Sequence, residues 1–96
     1  MDFAGFEWDP AKDLENYEKH GVHFAQAQLA FADARRVVEQ DSMHSGEEPR
    51  FYCVGRVGLG IMTVRFTWRS GAIRIIGAGF WRKGKIAYER ENSLYR

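Results

Sequence analysis

The stretch Ile61-Met62-Thr63-Val64-Arg65-Phe66-Thr67-Trp68-Arg69-Ser70-Gly71-Ala72-Ile73-Arg74-Ile75-Ile76-Gly77-Ala78 decides how the rest of the chain folds. Side chains alternate across a strand. Met62, Val64, Phe66 and Trp68 therefore share one face, and Thr63, Arg65, Thr67 and Arg69 share the other. A two-residue turn at Ser70-Gly71 sets Trp68 against Ile73, Phe66 against Ile75 and Thr67 against Arg74. The apolar sets coincide in that register. A slip of one residue would drive Arg74 into the core.

Working outward, Phe51 to Val57 reads as the preceding strand, joined through Gly58-Leu59-Gly60. A two- or four-residue loop there pairs Phe51 with Phe66, Tyr52 with Arg65 and Cys53 with Val64. Residues 40–50 are polar and rich in turn formers, hence a loop, and Arg36 to Glu39 is a short strand before it. Asp9-Pro10 starts a helix that Lys19-His20-Gly21 closes, with Ala11, Leu14 and Tyr17 as a narrow apolar face. Val22 to Ala32 spaces Phe24, Ala27, Gln28 and Phe31 as a second helix. Phe3 to Trp8 alternates weakly, as a short edge strand does. Arg82 to Tyr95 reads as a C-terminal helix, weakened by Gly84. The expected fold is α+β, with two N-terminal helices, a twisted antiparallel meander and a C-terminal helical segment. One domain is expected over residues 1–96.

The chain has 45% hydrophobic residues and two prolines, which excludes a disordered segment. No apolar run is long enough to span a membrane, and Met1-Asp2-Phe3 opens no signal peptide. A single cysteine, Cys53, forms no internal disulfide, so a cytoplasmic location is expected. On the core face it reads as a buried small hydrophobe rather than a nucleophile. The formal charge of +1 conceals a division. Residues 1–48 hold eleven acidic and four basic side chains, whereas residues 49–96 hold ten basic and two acidic ones. Such asymmetry points to a polyanion surface.

Strand parity places Arg50, Arg56, Arg65, Arg69 and Arg74 on one sheet face with Tyr52. Isolated surface arginines are ordinary, but like charges this close repel unless an anion joins them. Guanidinium groups fit phosphate oxygens, and Tyr52 and Trp81 can stack on unpaired bases. No recognition helix is evident, so RNA suits the sheet better than duplex DNA. An acidic protein partner remains the other reading of that face.

Several segments resemble the BrnT family, toxins of bacterial type II toxin–antitoxin pairs. They are Phe6-Glu7-Trp8-Asp9-Pro10-Ala11-Lys12, Lys19-His20-Gly21-Val22-His23-Phe24, the loop Asp41-Ser42-Met43-His44-Ser45 with Glu47-Glu48 and Arg50, and Arg74-Ile75-Ile76-Gly77-Ala78. The set runs in order over nearly the whole chain. It implies a RelE-like fold and a metal-independent ribonuclease that inhibits translation. It also implies a BrnA antitoxin with a ribbon-helix-helix domain, through which the complex reaches operator DNA. In one departure, Gly79 stands where the family usually has an arginine. Arg82, Lys83 and Lys85 follow and stand to restore that charge at an RNA surface. A degenerate, non-catalytic module that binds an antitoxin and acts as co-repressor is the alternative.

Cleaving RNA without metal requires loss of the 2′-hydroxyl proton, stabilisation of extra phosphate charge and protonation of the leaving oxygen. Arginines suit the second task. Arg74 and Arg69 are the first candidates, then Arg65 and Arg82. For proton transfer the candidates are His44, with an intrinsic pKa near ~6.5, and Tyr88 and Glu89. No cofactor is expected. His20 and His23 are separated by the helix-ending Gly21 and lack a third ligand nearby, so no metal site is expected.

Overall fold

The computed structural model describes residues 5–43 and 45–93. Its strands are β1 (Phe6–Glu7), β2 (Val37–Gln40), β3 (Phe51–Val57), β4 (Gly60–Arg69) and β5 (Ala72–Gly79). Its α-helices are α1 (Pro10–His20), α2 (Phe24–Ala27) and α3 (Arg82–Glu91), with a 3-10 helix at Gln28–Ala32. The fold is α+β. The five strands lie in the order β1-β5-β4-β3-β2.

The central pairs follow the sequence register. Phe51 faces Phe66, Tyr52 faces Arg65 and Cys53 faces Val64. Thr67 faces Arg74, Phe66 faces Ile75 and Trp68 faces Ile73. Two features depart from a plain antiparallel meander. First, β1 runs parallel to β5, with Phe6 beside Ile73 and Glu7 beside Arg74, so the sheet is mixed. A parallel neighbour needs a long crossover, and the chain from α1 to β4 supplies it. Second, the pairing jumps from Arg65↔Gly77 to Phe66↔Ile75, leaving Ile76 as an extra residue. This bulge resets parity. It turns Ala78 into the core beside Val64 and puts Gly77 opposite Arg65.

One sheet face carries the main core, where Phe24, Ala27, Ala30 and Phe31 pack on Cys53, Val64, Phe66, Ile73 and Ile75. The expected second helix is only partly α-helical, because it tightens to 3-10 geometry at Gln28. Buried Phe24, Ala27 and Ala30 recur every third residue, which a 3-10 turn lines up. The opposite face is not left open. α3 covers part of it, over a small cluster of Val54, Ile61 and Tyr88. α3 ends at Glu91, short of the expected Tyr95, and residues 94–96 lie outside the described part.

α1 begins and ends as expected. Asp9 accepts from the Ala11 amide at 2.9 Å, and Gly21 closes it at φ 70°. Its expected apolar face is overturned, since Leu14 and Tyr17 are exposed and Asn16 is the buried residue. Asn16 Nδ2 donates to the carbonyls of Val22 (2.8 Å) and Ala78 (2.9 Å), and Oδ1 accepts from the Ala78 amide (3.2 Å). β1 is too short to reach that part of β5, so the amide side chain caps the open edge.

Asp33 ties three elements together. Its Oδ1 accepts from the Arg35 amide (2.8 Å); Oδ2 accepts from the Arg56 amide (2.7 Å) and the Tyr88 hydroxyl (2.6 Å). Burial alone would raise its carboxyl pKa, but these hydrogen bonds outweigh burial and hold it below 3.8. A depressed carboxylate stabilises the fold above its unfolded value, and that contribution is lost as pH falls through the folded value. Asp33→Ala is expected to cost about 2 kcal/mol at neutral pH. In urea melts, the gap from the unchanged chain should shrink on acidification below pH 3.8.

Candidate nucleic-acid interface

The arginine-bearing face is built by β1 and β5 at one side and β3 and β2 at the other, with β4 between. The anion that relieves its repulsion comes largely from the chain itself. Arg74 Nη1 lies 2.8 Å from Glu7 Oε2. Arg69 grips Glu48 through Nε (3.2 Å) and Nη2 (3.0 Å). Arg65 Nη2 lies 4.0 Å from the buried Asp41. In each pair an acid from the first half of the chain meets a base from the second. Much of the charge division seen in the sequence is therefore complementarity across one sheet face.

α3 divides the face further. Gly84, in its first turn, rests on Thr63 so closely that a Cβ there would overlap Thr63 Oγ1. The glycine that weakens the helix in sequence terms is what lets the helix approach the sheet. On one side of α3 lies a groove of about 520 Å³, lined by Glu39, Asp41, Ser42, Met43, Tyr52, Thr63, Arg65, Trp81, Lys83 and Gly84, among others. On the other side a wider groove of about 910 Å³ holds Arg56, Leu59, Phe80, Trp81, Arg82, Lys85 and Glu89. The indole of Trp81 borders both.

The predicted residues thus fall into three groups. Tyr52, Arg65, Trp81 and Lys83 meet in the first groove. Arg56, Arg82, Lys85 and Glu89 line the second. Arg69 and Arg74 stand at the outer end of the face, where Arg69, Arg50 and Arg74 all depress the Glu48 carboxyl, the Arg69 hydrogen bond most. Tyr88 joins none of these. It is the 2% exposed residue by which α3 packs on Val54 and Ile61, and its hydroxyl donates to Asp33. His44 lies outside the described residues.

In the first groove, burial and then a hydrogen bond to Asp41 push the Tyr52 hydroxyl above its ordinary pKa. Tyr52 is thus held protonated, as a donor. Glu39 and Thr63 were not singled out from sequence, and Asp41 entered only as part of the loop that carries the family resemblance, with no role of its own. Asp41 follows directly on β2, so its position depends on the β2–β3 pairing rather than on any local motif. Thr63 Oγ1 and Arg65 Nε are buried with no hydrogen-bond partner among the described residues. Cys53 is buried and its thiol is pushed up to about 12 by burial, which suits a core residue. His20 packs edge-on against Trp81 (centroids 5.2 Å), and His23 stacks on Tyr17 (4.1 Å).

Gly79 also has a physical reason. A Cβ there would come within 2.5 Å of the Trp81 ring, so an arginine at 79 and this indole position exclude each other. The family described as "Ribonuclease toxin, BrnT, of type II toxin-antitoxin system" matches residues 8–84. This chain belongs to the BrnT family. A search of curated proteins finds no match. BrnT proteins are ribonuclease toxins of type II toxin–antitoxin systems, and membership implies an antitoxin partner. The BrnT match takes in strand β5, the first groove apart from Ala87 and the start of α3 as far as Gly84, while Lys85, Tyr88 and Glu89 lie past its end. No helix among the described residues of this BrnT chain is long and apolar enough to cross a membrane.

Proposed function

We propose that this chain is a metal-independent ribonuclease that binds single-stranded RNA in the groove of Arg65 and inhibits translation. The observation that carries the reading is the convergence of Arg65, Lys83, Tyr52 and Trp81 on one groove. In the proposed step the 2′-oxygen attacks the adjacent phosphorus and the P–O5′ bond breaks, giving a 2′,3′-cyclic phosphate and a 5′-hydroxyl. Arg65 and Lys83 offset the charge that develops on the phosphate. Trp81 offers a stacking face for a base. His44, whose chain neighbours Ser42 and Met43 line the groove, is assigned proton transfer. Arg50, Arg69 and Arg74 guide the RNA at the outer end, and Arg56, Arg82 and Lys85 beyond α3. In this reading the fold is RelE-like and the protein works in the cytoplasm as one domain. A BrnA-like ribbon-helix-helix antitoxin neutralises it and links the complex to operator DNA.

The ion pairing of Arg65, Arg69 and Arg74 with the chain's own carboxylates favours a second reading, a non-catalytic co-repressor. One experiment separates the two. Purified chain is incubated with single-stranded RNA in EDTA, and the product ends are identified by mass spectrometry. The ribonuclease reading expects cyclic-phosphate ends that disappear when the cognate antitoxin is added. Intact RNA, together with retained antitoxin binding, would establish the co-repressor instead.

A further inference from the structure

The first turn of α3 is the best-prepared anion site on this face. Its N-cap, Trp81, provides no side-chain cap, and the first turn holds no acidic residue. The amides of Arg82, Lys83 and Gly84 lie in the first turn, where an α-helix leaves its N–H groups without intrahelical acceptors. Free amides and the helix dipole there favour an oxyanion. A helix start alone is unremarkable, but two further atoms lie beside this one. Thr63 is 5% exposed and lines the groove directly beneath Gly84, yet its hydroxyl has no partner. Arg65 Nε, next but one along β4, is likewise buried and unpartnered. Buried polar atoms are normally satisfied, and a bound ion is one of the ways in which an exception is completed. Lys83 adds a charge at the rim of the same groove.

We propose that the first turn of α3, with Thr63 Oγ1, Arg65 Nε and Lys83, forms an oxyanion site that seats one phosphate of the RNA. The site rests on the RNA reading above and gives it a fixed anchor for the chain. Gly84 closes directly over Thr63 Oγ1, so seating the phosphate requires the first turn of α3 to move off the sheet by the width of the anion. The Asp41 carboxylate, near Arg65 Nη2, keeps the guanidinium oriented while Nε turns to the phosphate. The arrangement has a thermodynamic signature. An unpartnered buried hydroxyl weakens the free protein, so its removal should stabilise the fold while impairing the site.

The test is an NMR titration of the ¹⁵N-labelled full chain with inorganic phosphate, and in a second arm with a 2′-deoxy dinucleoside monophosphate. The expected result is saturable shifts at the amides of Arg82, Lys83 and Gly84 and at Arg65 Nε–H. Thr63→Val should weaken binding about tenfold and raise Tm, whereas Thr63→Ser should bind within about twofold of the original. Shifts in both arms identify a site for backbone phosphodiesters; shifts with inorganic phosphate alone identify one for a terminal phosphate. Absent shifts at α3, or Thr63→Val binding as tightly as the original, would overturn the site. Neither arm depends on cleavage. RNA left intact by a chain that still binds phosphate therefore counts against the ribonuclease reading and not against the site.

Discussion

Gly55→Ala is expected to destabilise the protein by about 4 kcal/mol, close to the limit for a single small substitution. A Cβ at Gly55 would sit 2.3 Å from the carbonyl oxygen of Ala30 and 3.0 Å from its carbon. Both atoms are backbone, so no side chain can rotate away. Either the 3-10 helix lifts from β3 or β3 bends, and both open the core around Ala27, Ala30 and Phe31. Gly77→Ala is the control. Its Cβ would meet only Asn16 and Arg65 at 3.9 and 4.0 Å, an ordinary contact, and a change below about 1 kcal/mol is expected. Chemical denaturation of the two variants checks the contrast.

Arg65→Gln is expected to lower RNA cleavage by about 10²- to 10³-fold, the usual scale for losing one donor to a developing anion. Among the described residues Arg65 is the arginine that lines the first groove. Its side chain is 30% exposed, and its contact with Asp41 is a loose one at 4.0 Å through Nη2, which leaves Nε to meet a phosphate. Arg69 differs. Its two bonds to Glu48 form a fork, and that carboxylate must be displaced before a phosphate can take its place. Arg74 is held by Glu7 through a single hydrogen bond from Nη1 at 2.8 Å. Comparing initial rates at matched thermal stability isolates the effect from folding.

The sequence ranked these arginines differently, and the reason is physical. Strand register was legible because an apolar set with period two has one alignment that keeps Arg74 out of the core. Tyr52 beside Arg65 and Thr67 beside Arg74 followed directly and hold in the structure. The partners of the arginines were not legible. Glu7 reaches Arg74 only because β1 pairs in parallel across most of the chain length, and no local pattern announces that. Glu48 and Asp41 come from a loop whose path the β2–β3 pairing sets. The bulge at Ile76 arises from β4–β5 pairing, so it too left no sign in the alternation of β5 alone. Gly84 looked like a flaw in a helix and proved to be its contact with the sheet. Asn16, on a helix read by its apolar residues, carries the edge of β5 instead.

Rates on one single-stranded RNA in EDTA, for the unchanged chain, Arg65→Gln and the double variant Arg69→Gln/Arg74→Gln, test the groove most directly. The expected order is cleavage by the unchanged chain, a double variant within about tenfold of it, and Arg65→Gln slower by about 10² or more. A folded Arg65→Gln chain that cuts at the original rate while the double variant is inactive would contradict it, and would move the reaction to the outer end of the sheet.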